Sequence, residues 1–331
     1  MPLRVGVLGT ARVATYALID PARPLPELTV EMIGSRDGDR ARDYAQRHGI
    51  ARWGSYDDLL SDPALDAIYV ALPVSLHAQW SLRALASGKA VLCEKPLARN
   101  AGEAAKCLSE ARGFQETFAE ALHWSCHPVA DRLRQIVANG PLGEIRSVET
   151  RFIIPKSYLL EDDFRLDYQR GGGVLLDAGY YCISLLRMML GEPLGVRQAS
   201  ATLVAPQVDG EIDARLEFAA GATGRIVASN QFAGDMLEIT ARILADGGSA
   251  RVVNPFMPHL GCRIEFEQAG RRWNENIDSR SSYAFQAEQF VCRARRGDRS
   301  LASIEDAVAN LVAIDAIYHA AGLPPRGQAY P

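Results

Sequence analysis

Apolar residues follow two different rhythms along this chain. Near the N-terminus they come as short, almost continuous runs: Leu3-Arg4-Val5-Gly6-Val7-Leu8, Thr29-Val30-Glu31-Met32-Ile33-Gly34, Ala67-Ile68-Tyr69-Val70-Ala71-Leu72, Lys89 to Cys93, and Thr117-Phe118-Ala119-Glu120-Ala121-Leu122. Runs of this texture predict parallel strands buried on both faces. Segments with helical spacing lie between them: Asp39–His48, Ser75–Ser87 (closed by Gly88) and Asn100–Arg112. Strand and helix alternating in this way predict a doubly wound sheet. From about Ile145 the rhythm changes to period two. Ile212, Ala214, Leu216 and Phe218 alternate with Asp213, Arg215 and Glu217; Leu237, Ile239, Ala241 and Ile243 do likewise, as do Cys262, Ile264 and Phe266. Turns at Ala219-Ala220-Gly221 and Asp246-Gly247-Gly248 separate them, predicting a half-buried antiparallel meander. Its apolar face needs a cover of helices, and its other face is a candidate subunit contact. A capped helix closes the chain, with Ser303-x-x-Asp306 before it and Gly322 and Pro324 behind.

The expected architecture is therefore α/β: an N-terminal doubly wound parallel sheet over residues 1–122, and a C-terminal α/β domain on an open, mostly antiparallel sheet over 123–331. At 331 residues, 48% apolar and 23% charged, the chain has an ordinary globular composition. A net charge of −4 gives no basic footprint for nucleic acid. The chain opens with no basic-then-apolar leader and contains no apolar run near the roughly 18 residues of a membrane span. Six scattered cysteines without a CxxC fit reduced thiols in a cytoplasmic protein.

Candidate chemistry gathers where these elements end. The first strand runs into Gly9-Thr10-Ala11-Arg12-Val13-Ala14 and then a helical pattern. Strand, glycine turn and helix start present backbone N–H groups and a helix dipole to a pyrophosphate. Only the first glycine of the usual fingerprint is kept, so the signal gains its weight from its place on the first strand. The second strand ends at Ser35-Arg36, where an NAD-selective site usually holds a carboxylate for the ribose 2′-hydroxyl. A hydroxyl and a guanidinium, with Arg40 one turn on, suit a 2′-phosphate instead, so NADP is expected ahead of NAD. Asp37 is expected to start the following helix.

Leu72-Pro73 ends the next strand, and His77 follows in the first helical turn, as a satisfied structural histidine or as a cofactor contact. The run to Cys93 delivers Glu94-Lys95-Pro96. A residue before proline is held extended, so Lys95 stands stiffly at the edge where parallel sheets bind ligands. There it can serve as a point charge or a proton carrier. His123 and His127 are four apart but lie on a turn before Pro128, without the glutamate of a helical zinc site; no metal is expected, and the pair is expected to line the cleft between domains. Finally, Gly171-Gly172-Gly173 leads an apolar helical run on which Asp177 and Tyr181 stand four apart. A carboxylate and a phenol so placed can orient a substrate hydroxyl and move its proton; a capping aspartate and a core tyrosine is the plainer alternative.

In combination, the nucleotide turn, Leu72-Pro73 with His77, Glu94-Lys95-Pro96 and the glycine run into Asp177 and Tyr181 resemble the glucose–fructose oxidoreductase/inositol dehydrogenase (Gfo/Idh/MocA) family, across essentially the whole chain. The resemblance implies a Rossmann domain, then an α/β domain whose open sheet makes dimer or tetramer contacts. It implies NAD(P) held by the glycine turn, Ser35-Arg36, Leu72-Pro73 and Glu94-Lys95-Pro96, with a cis Lys95–Pro96 bond. By position it implies Lys95 as the catalytic lysine and Asp177 as its partner. Tyr181 stands where many members place histidine, and a tyrosine there resembles the dihydrodiol dehydrogenase, glucose–fructose oxidoreductase and xylose dehydrogenase branch. The expected reaction is hydride transfer between the nicotinamide and a ring carbon of a sugar or cyclic polyol. Tyr181 or Lys95 would handle the hydroxyl proton, with Arg165, His123 and Tyr158 lining the substrate cleft. Two other classes share the fold: dinucleotide-binding sensors or co-repressors, and NAD-dependent glycosidases. The set of Lys95, Asp177 and Tyr181 favours catalysis, because a pure binder needs no proton-transfer groups.

Overall fold

The protein is described from a computed structural model covering residues 1–159, 163–298 and 302–327. Six strands form the first sheet: β1 (Leu3–Leu8), β2 (Leu28–Gly34), β3 (Arg52–Gly54), β4 (Ala67–Val70), β5 (Ala90–Glu94) and β6 (Phe118–Ala121). All pair in parallel, in the order β3-β2-β1-β4-β5-β6. Val5, Val7, Ile68, Val70, Val91 and Leu92 are fully buried, as the continuous apolar runs require of strands covered on both faces. The helices between them are α1 (Arg12–Ala14), α2 (Asp20–Ala22), α3 (Gly38–His48), α4 (Tyr56–Ser61), α5 (His77–Ala86) and α6 (Ala101–Glu110), with a π-turn at Thr15–Ile19 joining α1 to α2. The sequence reading misses β3 and α4. Arg52 and Trp53 are exposed, so β3 carries no apolar run. A capping box sets α4: Asp58 N–H donates to Ser55 Oγ (3.2 Å) and Ser55 N–H to Asp58 Oδ2 (2.8 Å).

Eight strands form the second sheet: β7 (Ile145–Pro155), β8 (Gly195–Ala205), β9 (Val208–Glu217), β10 (Thr223–Phe232), β11 (Glu238–Ala245), β12 (Gly248–Val253), β13 (Arg263–Gln268) and β14 (Arg271–Asn276). Their order is β14-β13-β12-β11-β7-β10-β9-β8. The sequence predicts one antiparallel meander; the sheet has two, on either side of β7, and β7 pairs with β10 in parallel. Period-two alternation reports one buried face and is silent on the direction of the neighbouring strand. Helix α7 (Pro128–Asn139) precedes β7, and α8 (Tyr180–Leu190) packs over β7 and β10. On that face Val148, Phe152, Ile226 and Ala228 are buried. The other face carries cross-strand ion pairs, Arg225–Glu149 (3.0 Å), Arg225–Asp213 (2.6 Å) and Arg151–Glu238 (2.9 Å).

The chain divides into two units, one of Met1–Ala98, Gly102–Cys126 and Ser282–Val308, the other of Arg99–Ala101, His127–Ser281 and residues from Ala309 onward. This differs from a single cut between 122 and 123. Helix α9 (Ser282–Arg296), which precedes α10 (Ile304–Ala320), returns to the first unit. There Ala287, Phe290 and Val291 join the core of Val5, Val7, Leu92 and Ala119, and Arg293 Nη2 donates to the Phe118 carbonyl oxygen (2.7 Å). An amphipathic pattern reveals that a helix has a buried face and leaves its partner unnamed. No helix among the described residues is long and apolar enough to cross a membrane.

Phe290 is fully buried in that shared core, so Phe290→Ala is expected to destabilise the first unit by about 3–5 kcal/mol. Urea unfolding followed by tryptophan fluorescence checks this, since Trp53, Trp80 and Trp124 belong to that unit and only Trp273 to the other.

Candidate functional site

In the first unit the residues expected to hold the nucleotide stand at the C-terminal ends of β1, β2, β4 and β5, the edge where an open parallel sheet receives its ligand. Gly9 follows β1 with φ +108°, and a Cβ there would run into the Ala71 carbonyl oxygen beyond β4. Gly9 N–H donates to the Gly34 carbonyl (2.9 Å) and Ala71 N–H to that of Leu8 (2.9 Å), so both neighbouring strands fix the turn. The N-cap Ala11 offers no side-chain acceptor to α1, which leaves the first-turn N–H groups suited to an anion. Tyr44 of α3 braces the turn by donating to the Ala11 carbonyl (3.0 Å). Thr10, Ala11 and Val13 are half-buried and Arg12 is exposed.

After β2, Ser35 is buried while Arg36 and Arg40 are exposed. The Asp37 carboxylate accepts from the N–H groups of Asp39 (3.0 Å) and Arg40 (3.1 Å), so it is engaged as the N-cap of α3. Arg40 Nη2 lies 3.4 Å from Thr10 Oγ1. Both guanidiniums act on Tyr56 at the start of α4: burial raises that phenol, and the charges of Arg36 and Arg40 pull it back down. Two cations converge here beside a serine hydroxyl, and the Asp37 carboxylate is occupied by a helix cap. Such a set favours a phosphate dianion over a neutral ribose diol.

Strand β5 delivers Glu94, Lys95 and Pro96, and the Lys95–Pro96 bond is cis. The buried Glu94 carboxylate accepts a hydrogen bond from the Tyr69 phenol. Burial first, and Glu94 second, hold that phenol well above the ordinary tyrosine value, so it remains a donor. Glu120 of β6, which is fully buried, accepts from Leu97 N–H (2.9 Å). Lys95 is half-buried between these anchors. His77 ties the same loop to the half-buried Leu72-Pro73 segment, with Nδ1 2.8 Å from the Pro96 carbonyl oxygen and Nε2 2.6 Å from that of Leu72.

In the second unit a π-turn, Leu175–Gly179, runs into α8 and carries Asp177. Arg165, on a 3-10 turn at Phe164–Leu166, donates from Nε to Asp177 Oδ2 (2.6 Å) and contacts Asp163 Oδ1 (3.2 Å). The two carboxylates raise the Arg165 guanidinium above its already high value, so the pair stays ionic. Tyr181 lies in an aromatic cluster, its ring 5.9 Å from that of Phe152 and 5.6 Å from that of Phe256, with little of its surface exposed.

A family model described as "Oxidoreductase family, NAD-binding Rossmann fold" matches residues 3–121, and one for the Gfo/Idh/MocA C-terminal domain matches 130–251. The chain belongs to the Gfo/Idh/MocA oxidoreductase family. It is 33% identical to a D-xylose 1-dehydrogenase (NADP(+)) from Haloferax volcanii, over 96% of each chain. It is 32% identical to a trans-1,2-dihydrobenzene-1,2-diol dehydrogenase from Oryctolagus cuniculus, over 72% of each. The solved structure of KijD10, a 3-ketoreductase from Actinomadura kijaniata in complex with NADP and TDP-benzene, matches with a TM-score of 0.85 and 26% identity, covering 97% of this chain and 98% of that one.

Within this Gfo/Idh/MocA chain the other sequence candidates have varied surroundings. His123 is buried, with Nδ1 2.8 Å from Ser282 Oγ and its ring 4.0 Å from that of Tyr283. His127 caps α7, its Nδ1 accepting from Val129 N–H (3.2 Å). Tyr158 is 59% exposed. Sequence reading missed Tyr69 and Glu120, which anchor the Lys95 loop, and Tyr56, which faces Arg36. Tyr69 and Glu120 did leave a signal: each is a lone polar group inside a strand buried on both faces, and such a group must find a partner.

His77 offers a pH test. A neutral ring donates to one of its two carbonyls at a time; protonation would complete both bonds, but burial is the larger cause and holds the ring below its ordinary value. The stability this contributes is present above the unfolded value of about 6.5 and is lost as pH falls from there through the folded value. Thermal midpoints of the protein are expected to drop on acidification through that window, and less so in His77→Gln.

Proposed function

We propose that this chain is an NADP-preferring oxidoreductase that moves a hydride between the nicotinamide and a hydroxyl- or keto-bearing carbon of a sugar or cyclic polyol. The observation that carries the reading is the end of β5, where Tyr69 and Glu120 anchor the residues flanking Lys95. The lysine itself stays half-buried at the ligand edge of the sheet. The names of the relatives, a xylose dehydrogenase, a dihydrodiol dehydrogenase and a ketoreductase, support the substrate class.

Gly9, Thr10, Ala11, Arg12 and Val13 would hold the pyrophosphate. Ser35, Arg36 and Arg40 would take the 2′-phosphate, and Leu72, Pro73, His77 and Glu94 the nicotinamide end. Bound NADP supplies the hydride acceptor. Lys95 stabilises the substrate oxygen as its proton leaves, and Tyr181 or Lys95 carries that proton. A phenol titrates near pH 10 when unperturbed, so Tyr181 needs a positive neighbour to work at neutral pH. Asp177, oriented by Arg165, accepts from a substrate hydroxyl, and Tyr158 offers a further polar contact. The ion-paired open face of the second sheet supports a homodimer or homotetramer, since its alternating charges complement a second copy of themselves. Six cysteines outside any disulfide, five of them buried, support a reducing, cytoplasmic setting.

Initial rates of nicotinamide absorbance on aldoses, inositols and cyclic diols, and on keto-sugars with reduced cofactors, test the reading. Lys95→Ala is expected to lower turnover by about 10²–10⁴-fold. Arg36→Ala is expected to weaken NADP by about tenfold or more, the value of a charge-assisted hydrogen bond, while leaving NAD nearly unchanged. Turnover with NAD alone would overturn the cofactor assignment. Tight dinucleotide binding without turnover on any substrate would favour a sensor.

A further inference from the structure

The turn that carries Asp177 is locked by two residues distant from it in sequence. Asp209 of β9 and Arg326, beyond α10, are both fully buried and form an ion pair. Asp209 also accepts from Leu175 N–H (2.7 Å) and the Tyr318 phenol (3.1 Å). Arg326 donates from Nε to the Gly172 carbonyl oxygen (2.5 Å), and its guanidinium lies 4.2 Å from the Tyr318 ring centre and 5.1 Å from that of Tyr168. Gly173 sits against this cluster with φ +126°, and a Cβ on it would strike Asp209, Arg326 and Tyr318. A buried ion pair is tolerated when its remaining donors and acceptors are used. Here two of those hydrogen bonds go to the glycine turn and to the first N–H of the π-turn.

Two backbone hydrogen bonds continue from that turn to the Arg165–Asp177 pair. Gly173 N–H donates to the Arg165 carbonyl (3.0 Å), and Asp177 N–H donates to the Gly173 carbonyl (3.2 Å). Both partners of the 2.6 Å contact therefore hang from one turn, and the wider π-helical register that follows it is a geometry often found at functional sites. We infer that Asp209 and Arg326 are positioning residues for the reaction. They hold the Gly171–Gly173 turn so that Arg165 and Asp177 keep their pairing and Tyr181 keeps its place at the head of α8. This rests on the catalytic reading of Asp177 and Tyr181.

The test uses the full chain and NADP-linked turnover, with Asp209→Asn, Arg326→Gln, Gly173→Ala and the charge-neutral double variant Asp209→Asn/Arg326→Met, beside Tyr181→Phe and Asp177→Asn. Each is assayed well below its own thermal midpoint. The single variants are expected to lose about a hundredfold in kcat, the scale of a 1 Å misplacement, with the Kd for NADP kept within about twofold. The double variant is expected to recover thermal stability without recovering kcat; should a single variant fail to fold, the double variant and Gly173→Ala decide. Wild-type kcat in the single variants, or kcat returning with stability in the double, while Tyr181→Phe or Asp177→Asn is inactive, overturns the positioning role alone. Full activity in both Tyr181→Phe and Asp177→Asn overturns the catalytic reading of these two residues and this inference together.

Discussion

A carboxylate buried at the end of a β-strand must be answered by a donor, and the first unit is arranged around that demand. β5 is covered on both faces and ends in Glu94, and β6 places a second buried carboxylate, Glu120, opposite Cys93. Left unpartnered in an apolar interior, either would destabilise the fold by several kcal/mol. Tyr69 supplies one donor and the Leu97 backbone the other. Both bonds flank Lys95 closely, so the interactions that allow the strands to be buried also stiffen the loop that presents the lysine. His77 extends this frame to Leu72.

The second unit meets the same requirement with an ion pair. Asp209 and Arg326 lie out of water beneath a glycine turn, and they are tolerated because backbone and phenol groups saturate them. Asp177 and Arg165, nearer the surface, form a more exposed pair above it. The two faces of the sheet differ: α8 covers the apolar side, and the opposite side is cross-linked by arginines and carboxylates.

The proposed preference for NADP rests on a small local competition. Asp37 stands one residue beyond the place of a ribose-binding carboxylate, and a helix start there offers its carboxylate two N–H groups. Capping α3 engages that carboxylate, while Arg36 and Arg40 stay exposed beside the buried Ser35. The same few residues thus terminate a strand, start a helix and set the charge of the proposed binding site.

The sequence by itself determined the strand–helix alternation, the period-two sheet and the nucleotide turn, because these depend on local spacing and backbone sterics. It also picked out Glu94-Lys95-Pro96 and the run into Asp177 and Tyr181, where charged or aromatic groups interrupt apolar patterns. Tertiary structure alone decided that β7 would split the second sheet, since alternation does not name a strand's neighbour. It also returned α9 to the first unit, where Phe290 fills the core. The partners of the site were equally hidden. Tyr69 meets Glu94 across 25 residues and Arg326 meets Asp209 across 117. Such pairs form only when folding removes both groups from water, so no spacing along the chain announces them.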